Sequence, residues 1–535
     1  MTGQSDVVIV GAGASGGAAA ALLAEAGLSV TCLEQGGWSE YDTLPHERPD
    51  WELARQTTHN PSPNVRAHRW DYPVEDSGAA IKPLMVNAVG GSTLAWGAHF
   101  PRFRPSDFRV RSLDGVADDW PLDYWDLEPF YDLNDRVMGV SGLAGDPANP
   151  PRAPRPMPPL PAGEGARRLA GAFDRLGWHW WPAEAAINSE SYGPARGACN
   201  HCGPCDLGCP VRARASADLT WWPRALKAGA ELITEARVFE IETDTRGRAT
   251  GVAYHDSEGV ARRHRAGVVI LAANGVGTAR LMLLSRSRAH PDGLGNRHDL
   301  VGRHLMHHPT GMATGVFPEP LEGFKGPFAV SILCQEFYET DRSRGFVRGF
   351  QMQLIRSDGP LGTAVGGYLP RLPWGEGHHR RFLEVFGRTA SLTVTTEDLP
   401  DPENRVTLDP ELADGHGIPA PRMTYRLDGN AKAMIGFGLD RAREALTEAG
   451  AREVLTQDLV VGAGFHLLGT ARMGDDPERS VVDRWNRVHE CPNVLVIDGS
   501  CFVTAAALNP TSTIQALALR AADALVRQRR EVEAA

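Results

Sequence analysis

The sequence has no cluster of Lys and Arg outside a short tail at Arg527–Arg530, and its formal net charge is −11. Binding a phosphate backbone needs such clusters, so no nucleic-acid partner is expected. Long apolar runs are missing too. Val7–Val10 carries no basic flank and is too short for a secretory signal or a membrane span, so a cytoplasmic protein with no membrane span is expected. There are no low-complexity tracts: the 58 glycines and 39 prolines are spread through 535 residues, 42% of them hydrophobic and 23% charged. That composition belongs to a folded globular chain and excludes disorder as the default. No disulfide framework is visible either. Cys32, Cys334, Cys491 and Cys501 are scattered, while the other four cysteines sit between positions 199 and 209, a distribution that points to a cofactor or metal cluster. The length exceeds what one hydrophobic core usually serves, so at least two structural regions are expected.

What is present begins at the N-terminus. Asp6–Val10 is a short β-branched run, Gly11-Ala-Gly13-Ala14-Ser15-Gly16-Gly17 follows, and Ala18–Ala26 is an alanine-rich helix former. The order is strand, tight turn, helix. Gly11 permits the turn, Gly13 lets the backbone approach a pyrophosphate, and Gly16 lets helix and strand pack closely. The helix N-terminus at Ala14 and Ser15 offers free N–H groups to phosphates. A second strand, Ser29–Leu33, ends at Glu34, whose carboxylate suits ribose hydroxyls. The fingerprint stands at the start of a long chain with no second copy, which favours FAD held permanently over an exchanging NAD.

Three further stretches depart from a simple dinucleotide-binding dehydrogenase. Val89–Arg102 is a glycine-rich loop containing Gly90, Gly91, Ser92, Trp96 and Gly97. Gly267–Gly275 is a strand ending in small residues such as Ala273, where a backbone can lie against a ligand. The C-terminal run contains His466, a strand at Val494–Ile497 leading into Asp498-Gly499-Ser500, and Leu508-Asn509-Pro510-Thr511 opening a helix. On spacing alone His466 reads first as a buried structural histidine and Asn509-Pro510 as a turn initiator. His304, His307 and His308 could approach the site, but they lack carboxylate or cysteine partners at metal-ligand spacing and read as structural. Cys199, Cys202, Cys205 and Cys209-Pro210 have the C-x2-C-x2-C-x3-C-P spacing that wraps iron–sulfur clusters. Structural zinc usually needs a second cysteine pair, which is missing, and free thiols are the remaining reading. Between 311 and 460 the alternating runs Phe346–Leu354 and Ala390–Thr396 read as antiparallel strands. Residues 429–449 read as a helix with Ala431, Ile435, Leu439 and Ala442 on one face, and the proline-rich 149–161 as a surface connection.

Taken in order, the fingerprint, the Gly-Gly-Ser loop, Leu300–Leu305, Asn404–Leu408, His466 and Asn509-Pro510 make the chain similar to the glucose-methanol-choline (GMC) oxidoreductases along nearly its whole length. The resemblance implies a mixed α/β and α+β fold. A discontinuous Rossmann-like FAD-binding domain would take in residues 1–310 and 461–535, with the cysteine-rich loop 199–210 and part of the substrate region inside its first segment. Residues 311–460 would form the substrate-binding domain, an antiparallel sheet flanked by helices. The pyrophosphate of FAD would lie at Gly11, Gly13, Ala14, Ser15 and Gly16, and its adenosine near Glu34 and Val238. The isoalloxazine would lie between the loop with Gly90, Gly91, Ser92, Trp96 and Gly97 and the turn ending at Thr511, with Ala273, Asp498 and Gly499 completing the site.

In this family His466 would take the hydroxyl proton of a small-molecule alcohol, and Asn509 would hold its oxygen while a hydride passes to the flavin N5. The cysteine loop and the His-Asn pair resemble the branch that oxidises sugars, glycosides and aminoglycosides such as paromamine to an aldehyde or ketone. In the sugar-dehydrogenase branch a related loop carries a three-iron cluster. Cys199, Cys205 and Cys209 would hold that 3Fe-4S cluster here, and Cys202 would allow a 4Fe-4S cluster. Oxygen, a quinone or a protein would be the electron acceptor. Two other readings stay open: a hydroxynitrile-lyase-like flavoprotein with no net redox chemistry, and oxidation of a non-sugar aliphatic or aromatic alcohol. Some relatives tether the flavin through a histidine after the glycine pair. The matching positions here are Leu94-Ala95-Trp96, with His99 further along, so FAD is expected to be noncovalent. Acid precipitation should therefore release all the flavin, and flavin retained by the washed pellet would contradict this.

Overall fold

Val7, Val8 and Ile9 of the N-terminal strand Gly3–Val10 are fully buried, side chains on both faces included. A strand covered on both faces belongs inside a parallel sheet. The computed structural model describes residues 3–48, 50–327, 329–367 and 371–534. In it Gly3–Val10 pairs in parallel with Val30–Leu33 on one side and Ala261–Leu271 on the other. Glu231–Ile233 extends the sheet beyond Val30–Leu33, and Cys491–Val496 then Arg487–Val488 extend it beyond Ala261–Leu271. An antiparallel pair, Arg237–Thr243 with Ala249–His255, branches from Ala261–Leu271. The strands expected at 6–10, 29–33, 267–275 and 494–497 all fall in this one sheet, although the third runs Ala261–Leu271 and gives way to the helix Asn274–Leu284.

The alanine-rich segment forms the helix Ala14–Glu25. Ala18 to Ala21 are fully buried, and their small side chains let the helix Thr511–Ala534 lie close alongside. Glycine is required where helix meets sheet. Gly11 has φ +103° and a Cβ there would lie 2.5 Å from the Ala272 carbonyl oxygen, while a Cβ on Gly16 would lie 2.0 Å from the Gly11 carbonyl oxygen.

The second sheet is antiparallel, in the order Glu453–Gln457, Thr310–Val316, Thr389–Thr396, Phe350–Ile355, Ala329–Cys334 and Trp180–Pro182. One face is apolar: Ala313, Phe350, Met352, Leu392 and Val394 pack under the helix Gly429–Glu448. That helix is capped by Asp428, whose side chain accepts the Ala431 N–H, and Ala431, Ile435, Leu439 and Ala442 are buried as the spacing predicts. The strand expected from Phe346 begins only at Phe350. Arg348 takes a left-handed φ of +62°, and a Cβ on Gly349 would lie 2.1 Å from two carbonyl oxygens, so the alternation before Phe350 belongs to a tight loop. The loop aims the Arg348 guanidinium into Asp107, Asp114 and Glu397, all buried. Trp180–Pro182 joins this sheet from far upstream. The ribbon Arg405–Ala413 with Pro419–Thr424 instead packs on the helix Asn274–Leu284 beside the parallel sheet, where Asp414 pairs with Arg237 and Arg280.

Among the described residues no helix is long and apolar enough to cross a membrane. Gly16→Ala forces the helix off the sheet and should cost about 1–3 kcal/mol. Urea unfolding should show a lower midpoint, and an unchanged midpoint would contradict this packing.

Candidate active site

A cleft enclosing about 1380 Å³, its mouth included, opens at the carboxyl ends of Gly3–Val10, Val30–Leu33 and Ala261–Leu271. Ligands of open parallel sheets bind at this edge. Gly11, Gly13, Ala14 and Ser15 line one part of the cleft, and Glu34 and Val238 line another. Gly91, Ser92, Trp96, Ala273, Asp498, Gly499 and Thr511 line the rest of the expected site. Gly16, Gly90 and Gly97 are expected ligand contacts that the cleft does not include. Gly16 serves helix–sheet packing, and Gly90 makes a left-handed turn (φ +101°) against Asp218.

The residues fit a bound dinucleotide. The helix Ala14–Glu25 has no side-chain cap and no acidic residue in its first turn, so its N–H groups remain free for a phosphate. A Cβ on Gly13 would meet nothing nearer than the Gly91 Cα at 3.9 Å, which leaves its backbone open to a ligand. Glu34 accepts the Ala12 and Gly36 N–H groups at 2.8 and 2.9 Å, and burial pushes its carboxyl up to about 7 against the pull of those donors. Asp498 accepts from the Ser500 N–H and the Thr278 hydroxyl, joining the end of Cys491–Val496 to the helix Asn274–Leu284.

His466 lines the same cleft, and its Nδ1 lies 2.9 Å from Nδ1 of His308, whose Nε2 lies 3.2 Å from the Ala505 carbonyl oxygen. Asn509 Oδ1 accepts from Nε2 of Gln353 at 2.7 Å and Nε2 of Gln351 at 3.2 Å, and lies 2.8 Å from His99 Nδ1. His99 is near enough to His466 to oppose its protonation, so the two expected catalytic residues share one neighbourhood. Burial is the first cause that lowers every imidazole here: His99 to about 4, His307 to about 3, His308 to about 4, and His466 well below its ordinary value. His308, His307 and His99 add to the effect on His466. The cluster is uncharged at neutral pH.

His308, expected to be structural, is set by the fold against His466. His304 stands apart, beside Arg472 and Arg303. His99, Gln351 and Gln353 were missed. The available signal was polar residues at alternate positions of a strand whose other side chains are apolar.

Around Gln351 and Gln353 the sheet shows its second face. Thr395 and Thr393 sit directly opposite them, and Thr310 and Thr314 continue the same face through the next strand. With Ser391, these residues are all buried, and Thr314 and Ser391 hydroxyls meet at 2.9 Å. On that face the strands Thr310–Val316, Thr389–Thr396 and Phe350–Ile355 carry no charged side chain.

The cysteine loop lies beside the glycine-rich loop. Cys209 Sγ accepts the Arg214 N–H at 3.5 Å, the Arg214 guanidinium is held by the Thr93 and Leu94 carbonyls, and Trp96 Nε1 donates to the Ala215 carbonyl. The metal set expected from the spacing finds no support in the structure. Cys205 and Cys209 are buried, Cys199 is half-buried and Cys202 is exposed. Burial, reinforced by Cys209 and Cys199, pushes the Cys202 thiol up to about 11, and the Cys199 thiol is raised as well. Among the described residues no group of three or more His, Cys, Asp or Glu side chains is arranged to hold a metal ion.

A dinucleotide cleft lined by His466, with uncharged imidazoles and the Asn509 amide beside it, fits an oxidoreductase of the alcohol-oxidising kind. Residues 177–310 and 400–518 match the two models described as GMC oxidoreductase, and residues 9–68 match an NAD(P)-binding Rossmann-like domain. The chain is 42% identical to 2-methyl-1,2-propanediol dehydrogenase of Mycolicibacterium austroafricanum, over 98% of this chain and 96% of that protein. It is 31% identical to paromamine 6'-oxidase of Streptomyces fradiae, over 97% of this chain and 91% of that protein. The crystal structure of pyridoxine 4-oxidase from Mesorbium loti shares the fold, with a TM-score of 0.66 at 19% identity over 97% of this chain and 98% of that one. The chain belongs to the GMC oxidoreductase family: it is an enzyme that acts on alcohols, and its dinucleotide is FAD.

Proposed function

We propose that the chain oxidises one hydroxyl of a small neutral, hydroxyl-rich substrate, a sugar or a diol, to the aldehyde or ketone. The uncharged hydroxyl-and-amide face of the antiparallel sheet, joined to Asn509 through Gln351 and Gln353, carries this reading. Such a face offers donors and acceptors to several hydroxyls at once. A polyamine sugar calls for carboxylates, and the three strands present none there, so a neutral sugar or diol is favoured over an aminoglycoside. The name of the 42% identical relative, a diol dehydrogenase, supports the same class.

Bound FAD supplies the two-electron acceptor that takes the hydride. His466 accepts the hydroxyl proton as the carbinol C–H bond breaks, so the substrate loses one proton and one hydride and its C–O bond becomes a carbonyl. Two amide donors occupy Asn509 Oδ1, which leaves Nδ2 to donate to the substrate oxygen. The low dielectric that keeps the imidazoles neutral also keeps His466 in its proton-accepting form. FAD would be held without a covalent link, since Leu94, Ala95 and Trp96, the positions after the glycine pair, offer no nucleophile.

His466→Ala should slow anaerobic flavin reduction by on the order of 10²-fold or more while FAD content is retained. A near-normal rate would sink the assignment. Burial together with His308, His307 and His99 lowers the His466 pKa, so protonation on acidification is delayed. The rate of flavin reduction should stay level as pH falls past about 6.5, the ordinary imidazole value, and drop only at lower pH. A drop centred at or above that value would contradict the reading. In anaerobic bleaching across sugars, diols and aminoglycosides, neutral substrates should bleach the flavin fastest. A lyase would give no bleaching at all.

A further inference from the structure

A neutral imidazole has one N–H and one lone pair, so a fixed partner at one nitrogen decides what the other can do. Ala505 offers His308 a carbonyl oxygen, which accepts and cannot donate. His308 therefore carries its proton on Nε2, 3.2 Å from that oxygen, and its Nδ1 is a bare lone pair. That lone pair faces His466 Nδ1 at 2.9 Å, so His466 must place its own proton on Nδ1. The remaining His466 nitrogen, Nε2, is left as an acceptor.

We infer that His308 is a positioning residue, which with the Ala505 carbonyl locks His466 in the Nδ1–H tautomer and so makes Nε2 the atom that takes the substrate proton. The inference rests on His466 being the base, and it adds the device that makes the ring competent. With the proton on Nε2 instead, His466 would present a donor to the substrate hydroxyl and could not accept from it.

The backbone is built to hold this line. Ala506 takes a left-handed φ of +57°, a conformation costly for a residue with a Cβ, and it immediately follows the carbonyl that orders His308. The same buried segment continues into Asn509, so one stretch of chain supplies both the tautomer lock and the oxygen-holding amide. On the other side, His308 precedes Pro309 and the strand Thr310–Val316, and the Thr310 hydroxyl donates to the His308 carbonyl at 2.9 Å. The two rings stand at 88°, with centroids 4.6 Å apart.

The choice of partner matters electrostatically. A carboxylate at His466 Nδ1 would also orient the ring, but it would stabilise the imidazolium and raise the pKa. The titratable groups that bear on His466 are His308, His307 and His99, all imidazoles lowered by burial. The nearby Asp398 carboxyl is spent on the His307 N–H and the Tyr425 hydroxyl, and burial pushes it up to about 7. A neutral acceptor thus orients the base without charging it. Once His466 has taken the proton, its Nδ1–H still points at the His308 lone pair, and the positive charge is spread over two rings.

The test uses the oxidised FAD-loaded enzyme and two variants. In His308→Leu the acceptor is gone, and anaerobic flavin reduction should fall by on the order of 10²-fold with substrate affinity and FAD content unchanged, the pattern of a base in the wrong tautomer. In His308→Asn a side-chain oxygen can replace Nδ1 as acceptor, and the rate should recover to within about tenfold of the native enzyme. Long-range ¹⁵N–¹H NMR of histidine-labelled native enzyme, with His466 assigned by its loss in His466→Ala, should show a protonated Nδ1 and a bare Nε2. The NMR result stands even where a variant fails to fold. A His308→Leu enzyme as fast as the native one, in a background where His466→Ala is slow, overturns the positioning role alone. A His466 signal protonated on Nε2 overturns it too. A fast His466→Ala overturns the base assignment itself.

Discussion

Asn509 Oδ1 is the atom that ties the antiparallel sheet to the turn before the C-terminal helix. It accepts from Gln353 and Gln351 of the antiparallel sheet, lies against His99 of the segment that follows the glycine-rich loop, and belongs to the turn before the helix Thr511–Ala534. Each such bond contributes only about 0.5–1.5 kcal/mol net, but a buried amide left unpaired costs about 1–3 kcal/mol. The energetic demand is therefore for all partners or none. That demand sets the polar face of one sheet against the ligand edge of the other, and it leaves the Asn509 amide N–H group as the free end.

Charge is kept out of this neighbourhood and concentrated elsewhere. Arg348 gathers Asp107, Asp114 and Glu397 into one buried set, and Arg237 and Arg280 share Asp414 beside the other end of the cleft. Such buried pairs add little net stability, because desolvation offsets most of their attraction, while removal of one member would strand a buried charge. Around His466 the opposite solution is used, with four imidazoles that burial keeps neutral. A base that must be unprotonated at neutral pH, next to a carbon that must release a hydride, is served by a pocket that disfavours cations until the reaction makes one.

Legibility in the sequence followed the range of the interactions. The fingerprint from Asp6 to Glu34 is contiguous in sequence, and the need for glycine at Gly11 and Gly16 occurs where it was expected. The helix Gly429–Glu448 was readable for the same reason. The antiparallel strand at Phe350 was readable in type but not in its start, because the left-handed Arg348 answers to carboxylates far away in sequence. The contacts of His308 were not readable, since nothing in its neighbours along the chain points to His466 or Ala505. The cysteine spacing suggested a metal set, but spacing along the chain does not fix how the thiols are arranged, and among the described residues no such group is arranged to hold a metal ion.

The central claim is that a C–H bond of an alcohol is broken at this site, with its hydride going to FAD and its hydroxyl proton to His466. Anaerobic stopped-flow bleaching with a neutral diol or sugar, compared with the same compound deuterated at the carbinol carbon, addresses that claim most directly. The account predicts bleaching to fully reduced flavin, slowed severalfold by the deuterium. Flavin that stays oxidised with every alcohol offered, or a bleaching rate that does not respond to the deuterium, would contradict it.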